Sequence, residues 1–567
     1  MTLKSLLLGA TATIAIASTA SAERGADGHV NLIYWQAPSI MNPYLSGGTK
    51  EVEAASLVIE PLGRYNAQGE MIPYLAEEIP TVSNGGVAED LRSITWKIKP
   101  GIVWSDGTPF TANDVKFTAE YCMHPEGGCA QLAKFEGVES VEVIDDLTVR
   151  VNFSQPTPVP YGPFMGGQAP IIQAAQFANC LGAKAQECSD ANFTPIGTGP
   201  FKVDEFRPND VISLSANPRY RDPEKPHFAT LTFKGGGDAT AAGRAVLETG
   251  EFDYAWNLQL APDVIANMAA AGKGVAMSAF GTLVERIEMN MTDPSPDLPE
   301  GERATAKHPH PILSDIRVRK ALSMAIDRDL LVEIGYGQAG RPTCNLVPAP
   351  EVFASDNTDC LKQDVEGAKA LLEEAGWTVG AGGIREKDGK KLSLTYQTST
   401  NAVRQDFQAL IKQWWSEIGV ETELRNISAS VFFGSDPGSP DTFPKFYSDV
   451  EMYANNFDGS DPQSYLAGYT CEKAPRPETQ WQGENINRLC DPAYDELVKE
   501  LGRTAELEKR GEIAKKLNDM LTKESYTIVP LVDRGRVSAR SNTLGGVELN
   551  TWDTELWNAA DWYRIKP

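Results

Sequence analysis

Ile94-Thr95-Trp96-Lys97-Ile98-Lys99-Pro100-Gly101-Ile102-Val103-Trp104-Ser105-Asp106-Gly107-Thr108-Pro109-Phe110-Thr111-Ala112-Asn113-Asp114-Val115-Lys116-Phe117-Thr118 is the run on which the fold of this chain turns. Its first residues alternate apolar and polar, the period of a strand with one buried face, and the strand stops at Pro100-Gly101. Ser105-Asp106-Gly107 supplies a turn. Thr111, with Asp114 three positions on, has the spacing of a helix N-cap and its capping box.

Outward from there, apolar periodicity marks the scaffold. His29 to Trp35 reads as a short strand, and Lys50 to Pro61 as a helical stretch. Val318, Ala321, Leu322, Ala325 and Ile326 fall at i, i+3, i+4, i+7 and i+8, one face of a helix, leaving Arg317, Arg319, Lys320, Asp327 and Arg328 on or near its wet side. Leu371, Leu372 and Ala375 repeat the pattern before Gly376, a C-terminal glycine stop. Phe407, Leu410, Ile411 and Trp414 mark another core-facing helix. Asp293 to Pro311, rich in Pro, Asp, Glu and Lys, reads as a surface excursion. Its His308-Pro309-His310 has no acidic or thiol partner at metal-ligand spacing.

The ends and the bulk composition bound the function. Lys4, the apolar run Leu6 to Ala17 and Ala20-Ser21-Ala22 form a cleavable export signal over residues 1–22. No later run is long and apolar enough to span a bilayer. No Cys follows the cleavage site until Cys122, so a lipid anchor has no attachment point, and a free periplasmic protein is expected. The chain has 567 residues, past the roughly 250 to 300 at which one core stops growing, so at least two lobes are expected. A net charge of −25 makes nucleic acid and anionic lipid poor partners. The eight cysteines allow 105 pairings in principle. In an oxidising compartment their close couples favour Cys122–Cys129, Cys180–Cys188, Cys344–Cys360 and Cys471–Cys490.

Ser448-Asp449-Val450-Glu451-Met452-Tyr453-Ala454-Asn455-Asn456-Phe457-Asp458-Gly459-Ser460-Asp461-Pro462 carries the candidate site. Val450, Met452 and Ala454 alternate with polar neighbours, as in a strand with one buried face. The run then enters an Asp-Gly-Ser-Asp-Pro turn, so polar groups gather at the strand's carboxyl end, where open α/β sheets hold ligands. Asp458 offers a charge there, flanked by Asn455, Asn456, Tyr453 and Phe457, a set suited to gripping a polar ligand. No histidine is followed by Glu, neither Gly272-Lys273 nor Gly389-Lys390 is followed by Ser or Thr, and no G-x-S-x-G elbow occurs. No catalytic constellation, metal site or cofactor is expected.

The Ile94–Thr118 run closely resembles the signature of the solute-binding proteins of ABC importers for di- and oligopeptides, nickel complexes and certain oligosaccharides. The likeness continues through Pro195–Phe201, Ala216–Tyr220, Leu247–Asp253, Asp315–Arg328 and Ala368–Trp377. It implies an α/β, two-lobe periplasmic binding protein of class II, cluster C. Lobe I would span residues 23–286, with an extra subdomain at about 63–194, lobe II residues 287–532, and 533–567 would return to lobe I. The resemblance also implies a monomer that closes on a peptide or other small solute and delivers it to an inner-membrane permease with separate ATPase subunits. Asp458 falls where peptide-binding relatives hold the ligand's ammonium, Cys471 and Cys490 match a disulfide of those relatives, and Trp256 and Asn257 fall on a ligand-facing stretch. Thr398 and Asn455 depart, standing where dipeptide-binding relatives carry an arginine and a tryptophan. Longer peptides, an oligosaccharide or another polar solute thereby enter as ligands, with a secreted hydrolase as the alternative of a different class.

Overall fold

The structure, a computed structural model, describes residues 23–299, 301–434 and 436–566. The export signal lies outside the described residues. Two sheets organise the chain. The first has seven strands, in the order Gly274–Ala279, Arg536–Ser541, Tyr254–Ala255, His29–Tyr34, Thr230–Gly235, Val211–Ala216 and Phe201–Arg207. The second has six, in the order Gly340–Pro342, Ile528–Arg534, Val284–Met289, Val450–Asn455, Ser393–Ser399 and Glu421–Ile427. His29–Tyr34 pairs parallel to Thr230–Gly235, and Ser393–Ser399 parallel to both of its neighbours. Helices cover both sheets, giving a mixed α/β molecule of two lobes. Among the described residues no helix is long and apolar enough to cross a membrane.

The decisive run folds as its spacing dictates. Ser93–Lys97 is a strand and Ala112–Met123 a helix, with the Thr111/Asp114 capping box formed. Asp114 also accepts from the Trp104 indole at 3.3 Å, tying the turn to the helix. The strand joins Thr148–Phe153 and Val138–Asp145 in a three-stranded sheet. This subdomain shares one core with the seven-stranded sheet, since Trp96, Trp104 and Val151 belong to the same buried cluster as Leu32, Tyr34 and Phe233. A separate core fills lobe II around Leu322, Phe407, Ile411 and Trp415.

The chain passes between the sheets at 280–283 and again at Gly535. Residues 284–286, placed in lobe I by sequence, therefore continue a strand of lobe II, as do 533 and 534. The pairing of Val284–Met289 with Val450–Asn455 runs unbroken, and no turn residue interrupts it near 286. The small residues sit at the crossings instead: a side chain at Gly281 would meet Thr551 at 2.5 Å.

Two arginines expected on wet helix faces are buried. Arg319 donates to the Ser525 and Leu313 carbonyls, and Arg328 to the carbonyls of Pro530 (2.8 Å) and Cys360 (2.8 Å). Each serves as an internal cap for carbonyls that would otherwise lack donors. All four expected disulfides are present, with Cα separations of 5.1, 5.8, 5.6 and 4.5 Å in chain order. His310 bonds Asp449 at 2.8 Å and His308 bonds Glu302 at 2.9 Å, both tying down the Asp293–Pro311 excursion. Among the described residues no group of His, Cys, Asp and Glu could hold a metal ion.

Candidate functional site

Val450–Asn455 lies inside the second sheet, and its first four residues are buried on both faces. Only one buried face was expected. Val450 and Met452 enter the lobe II core, while Glu451 and Tyr453 point into an interior polar network on the other side. There Arg286 donates to the hydroxyls of Tyr453 at 3.1 Å and Tyr469 at 2.7 Å, and pairs with Glu288 at 2.7 Å. A buried guanidinium satisfied in this way fixes the strand's orientation beneath the cleft.

Beyond Asn455 the chain enters the gap between the lobes. A third apolar cluster bridges that gap, joining Trp35, Leu258 and Val537 of lobe I to Phe432, Phe443 and Tyr453 of lobe II. The lobes are therefore closed on one another. They enclose two chambers, and Gly47, Asn455 and Asn456 line both, forming the waist between them.

The first chamber is acidic. Asp458 and Glu484 line it from lobe II, facing Tyr65, Lys134 and Tyr161 of lobe I. Asp458 is 8% exposed. One of its oxygens accepts from the Gln168 backbone N–H at 3.1 Å, across the lobes. Burial pushes its carboxyl up to about 6, an effect Lys134 partly opposes and Asp553 reinforces. Burial likewise pushes Glu484 up to about 7. Among the described residues neither carboxylate has an ion-pair partner within 4.0 Å. By contrast Asp461, in the same wall, is held by Arg510 at 2.7 Å. Phe457 packs against Tyr465 with ring centroids 5.1 Å apart, and its backbone carbonyl accepts from Thr282 at 2.9 Å.

The second chamber is basic and aromatic. Lys50, Arg404, Arg534 and Arg536 line it together with Trp256 and Tyr453. Trp256 borders the chamber, and its ring stacks on Tyr34 at 4.8 Å and 5°. Asn257 takes a left-handed conformation (φ 54°) and accepts from both terminal nitrogens of Arg534 at 3.2 Å. Burial would raise Glu285, but Arg404 and Arg534 outweigh it and hold the carboxyl below the usual range. Burial and Glu555 together push Glu53 up to about 8.

All seven residues expected at the site border the cleft, divided between its ends. Asp458 and Phe457 lie in the acidic chamber, Tyr453, Trp256 and Asn257 in the basic one, and Asn455 and Asn456 at the waist. Thr398 does not line either chamber. Its hydroxyl donates to the Met452 carbonyl at 2.5 Å inside the sheet. The sequence reading missed Glu484, Lys134, Arg404 and Arg534. They come from four distant segments, and no local motif distinguishes them from the other charged residues of the chain.

Two lobes closed over an internal polar cleft, with an extra subdomain on the first, define a periplasmic binding protein of class II, cluster C. The family model for the bacterial extracellular solute-binding proteins, family 5, matches residues 70–475, and the chain belongs to that family. The glutathione-binding protein GsiB of Escherichia coli is 24% identical over 511 residues, covering 89% of each chain. The oligopeptide-binding protein AppA of Bacillus subtilis, solved with a nonapeptide, superposes with a TM-score of 0.80 at 20% identity, over 96% of this chain and 100% of that one. NikZ of Campylobacter jejuni, solved with Ni(L-His), superposes with a TM-score of 0.78 at 20% identity, over 95% of this chain and 100% of that one.

Proposed function

We propose that this protein is the periplasmic peptide-capturing component of an ABC importer, and that it seats the ligand's ammonium group against Asp458 and Glu484. The carrying observation is a buried carboxylate, Asp458, beside a half-buried one, Glu484, both facing an internal chamber with no ion-pair partner in reach among the described residues. Burying such groups uncompensated is costly, and a cation from outside the chain relieves the cost. A charge-assisted hydrogen bond in a closed, dry cleft is also stronger than a surface ion pair. Relatives named for glutathione and for oligopeptides support a peptide as that cation's carrier. A neutral oligosaccharide would leave both carboxylates unrelieved, which weighs against the sugar reading.

Closure supplies the signal. A ligand that touches both lobes shifts the open–closed equilibrium by its differential affinity, and a permease partner would read the closed form. The protein acts as a carrier and returns its ligand unchanged. Thermal-shift measurements with randomised tripeptide pools test this, because a ligand at 100 times its dissociation constant stabilises by about 2.7 kcal/mol. A shift with free-amine peptides that N-acetylation removes is the expected result. Cleavage of the pool on incubation, or shifts with oligosaccharides alone, would overturn the reading.

A further inference from the structure

The turn that follows the site strand is plugged into lobe I. Asp458 and Gly459 of lobe II enter a socket made by Tyr65, Gly166, Gly167, Gln168 and Trp552. The Gln168 backbone N–H donates to one Asp458 oxygen at 3.1 Å, and the Gly459 N–H donates to the Trp552 carbonyl at 2.6 Å. Both approaches depend on glycine. Gly166 has φ +76°, and a Cβ there would stand 2.9 Å from that same Asp458 oxygen. Gly459 has φ +78°, and a side chain on it would run into the Tyr65 ring. An L side chain is thus disfavoured at both positions by its backbone and by the space around it.

The socket is held ready from within lobe I. Asp553 accepts from the Gly167 N–H at 3.0 Å and from the Tyr65 N–H at 3.2 Å, and it is paired with Arg64 at 3.0 Å. Consecutive N–H groups of one loop are therefore divided: Gly167 serves a carboxylate of its own lobe, and Gln168 a carboxylate of the other. Among the described residues the second Asp458 oxygen accepts no hydrogen bond, and the side chain lines the acidic chamber.

We infer that Asp458 is the latch of the closed form as well as the ligand's anchor: one oxygen takes the ligand's ammonium and the other takes lobe I, with Gly166, Gln168 and Gly459 as positioning residues. This rests on the ammonium reading above and adds to it how the ligand's charge is converted into closure. A hydrogen bond to an ionised carboxylate is roughly twice as strong as one between neutral groups. Burial in the socket favours the neutral carboxyl; Lys134 and Arg536 oppose this and Asp553 reinforces it, while Arg64 and Tyr65 also face the group. A cation on the free oxygen restores the ionised form, and with it the grip on Gln168. A ligand without a cation leaves that grip weak, so selectivity is exercised at closure as well as at entry.

The test reads closure by small-angle scattering and proton release by calorimetry in buffers of different ionisation enthalpy, with a randomised free-amine tripeptide pool as ligand. On binding, the unaltered protein should become more compact, release protons near pH 6, where Asp458 titrates in the fold, and slow amide exchange at Gln168 and Gly459 at least tenfold. Gln168→Pro deletes the donor, and Gly166→Ala fills the socket. Each variant should still bind the pool, at least tenfold more weakly, while compaction and proton release disappear because Asp458 stays in water. A lowered melting temperature with compaction and proton release intact would overturn the latch, since these residues would then only support the fold. Unchanged exchange at the two amides of the unaltered protein, a comparison that needs no variant, would overturn it as well, and the ammonium reading would stand wherever N-acetylation still abolishes binding. Failure of the pool to bind, or binding indifferent to N-acetylation, would overturn both.

Discussion

The two ends of the cleft bury charge in opposite ways. At the basic end the anion Glu285 is surrounded by donors and held ionised, and its network ties helix, strand and crossing together. At the acidic end the buried Asp458 and the half-buried Glu484 lack such partners, and their carboxyls are pushed toward the neutral form. The lesson is that burial alone does not separate structural from functional charge. The satisfaction of each group does: a paired buried charge holds the fold, and an unpaired one waits for a ligand.

The comparison can be broken most strongly at Glu285. Glu285→Gln removes the anion that two buried guanidiniums share, and should cost about 3 to 5 kcal/mol of stability, read as a large fall in melting temperature. Asp458→Asn should do the reverse to the empty protein. Asp458 ordinarily titrates near 3.8 and is raised to about 6 in the fold. The folded state thus holds more protons between those values, and this group's stability contribution is full below about pH 4 and is lost as pH rises through 6. At pH 8 the substitution should therefore stabilise the unliganded protein, by about 1 to 3 kcal/mol. The same variant should lose about 2 kcal/mol of binding to free-amine peptides, roughly thirtyfold in dissociation constant, with N-acetylated peptides unaffected. A variant more stable yet deaf to ligand would sharpen the contrast, and a variant equally destabilised in both respects would erase it.

Acidity offers a milder probe. Binding an ammonium requires Asp458 ionised, so a peptide's affinity should fall about tenfold between pH 8 and pH 5, with proton release on binding near pH 6 detectable by calorimetry in buffers of different ionisation enthalpy. The smallest effect is expected at the rim. Lys473 of lobe II meets Glu136 of lobe I at 3.3 Å, and Glu136 is 37% exposed. Glu136→Gln should weaken closure by less than about 1 kcal/mol, and the loss should shrink further in salt.

Much of the fold was legible because its signals are local. The capping box at Thr111 and the apolar face of Val318, Ala321, Leu322, Ala325 and Ile326 formed as spaced, and those five residues are fully buried. In the acidic half Asp458 and Phe457 were legible for the same reason, as they stand in a contiguous run whose strand-to-turn composition marks a ligand-facing end, while Glu484 and Lys134 come from distant segments. In the basic half Tyr453, Trp256 and Asn257 were expected, and the charged residues were not. Arg404 opens a helix, Arg534 ends a strand, and the carboxylate they share lies more than a hundred residues from either. Arg319 and Arg328 were read as solvated for a related reason: periodicity tells which way a side chain leaves its helix, and carries no information about what a distant segment lays over it.

The Cys122–Cys129 loop of lobe I and the segment inside Cys471–Cys490 of lobe II meet at the cleft's mouth, where Gln480 donates to the Glu126 carbonyl at 3.1 Å. Each lip is stitched within itself and none is stitched to the other. Opening of the jaw would therefore make or break no covalent bond, and its biting edges would keep their shape.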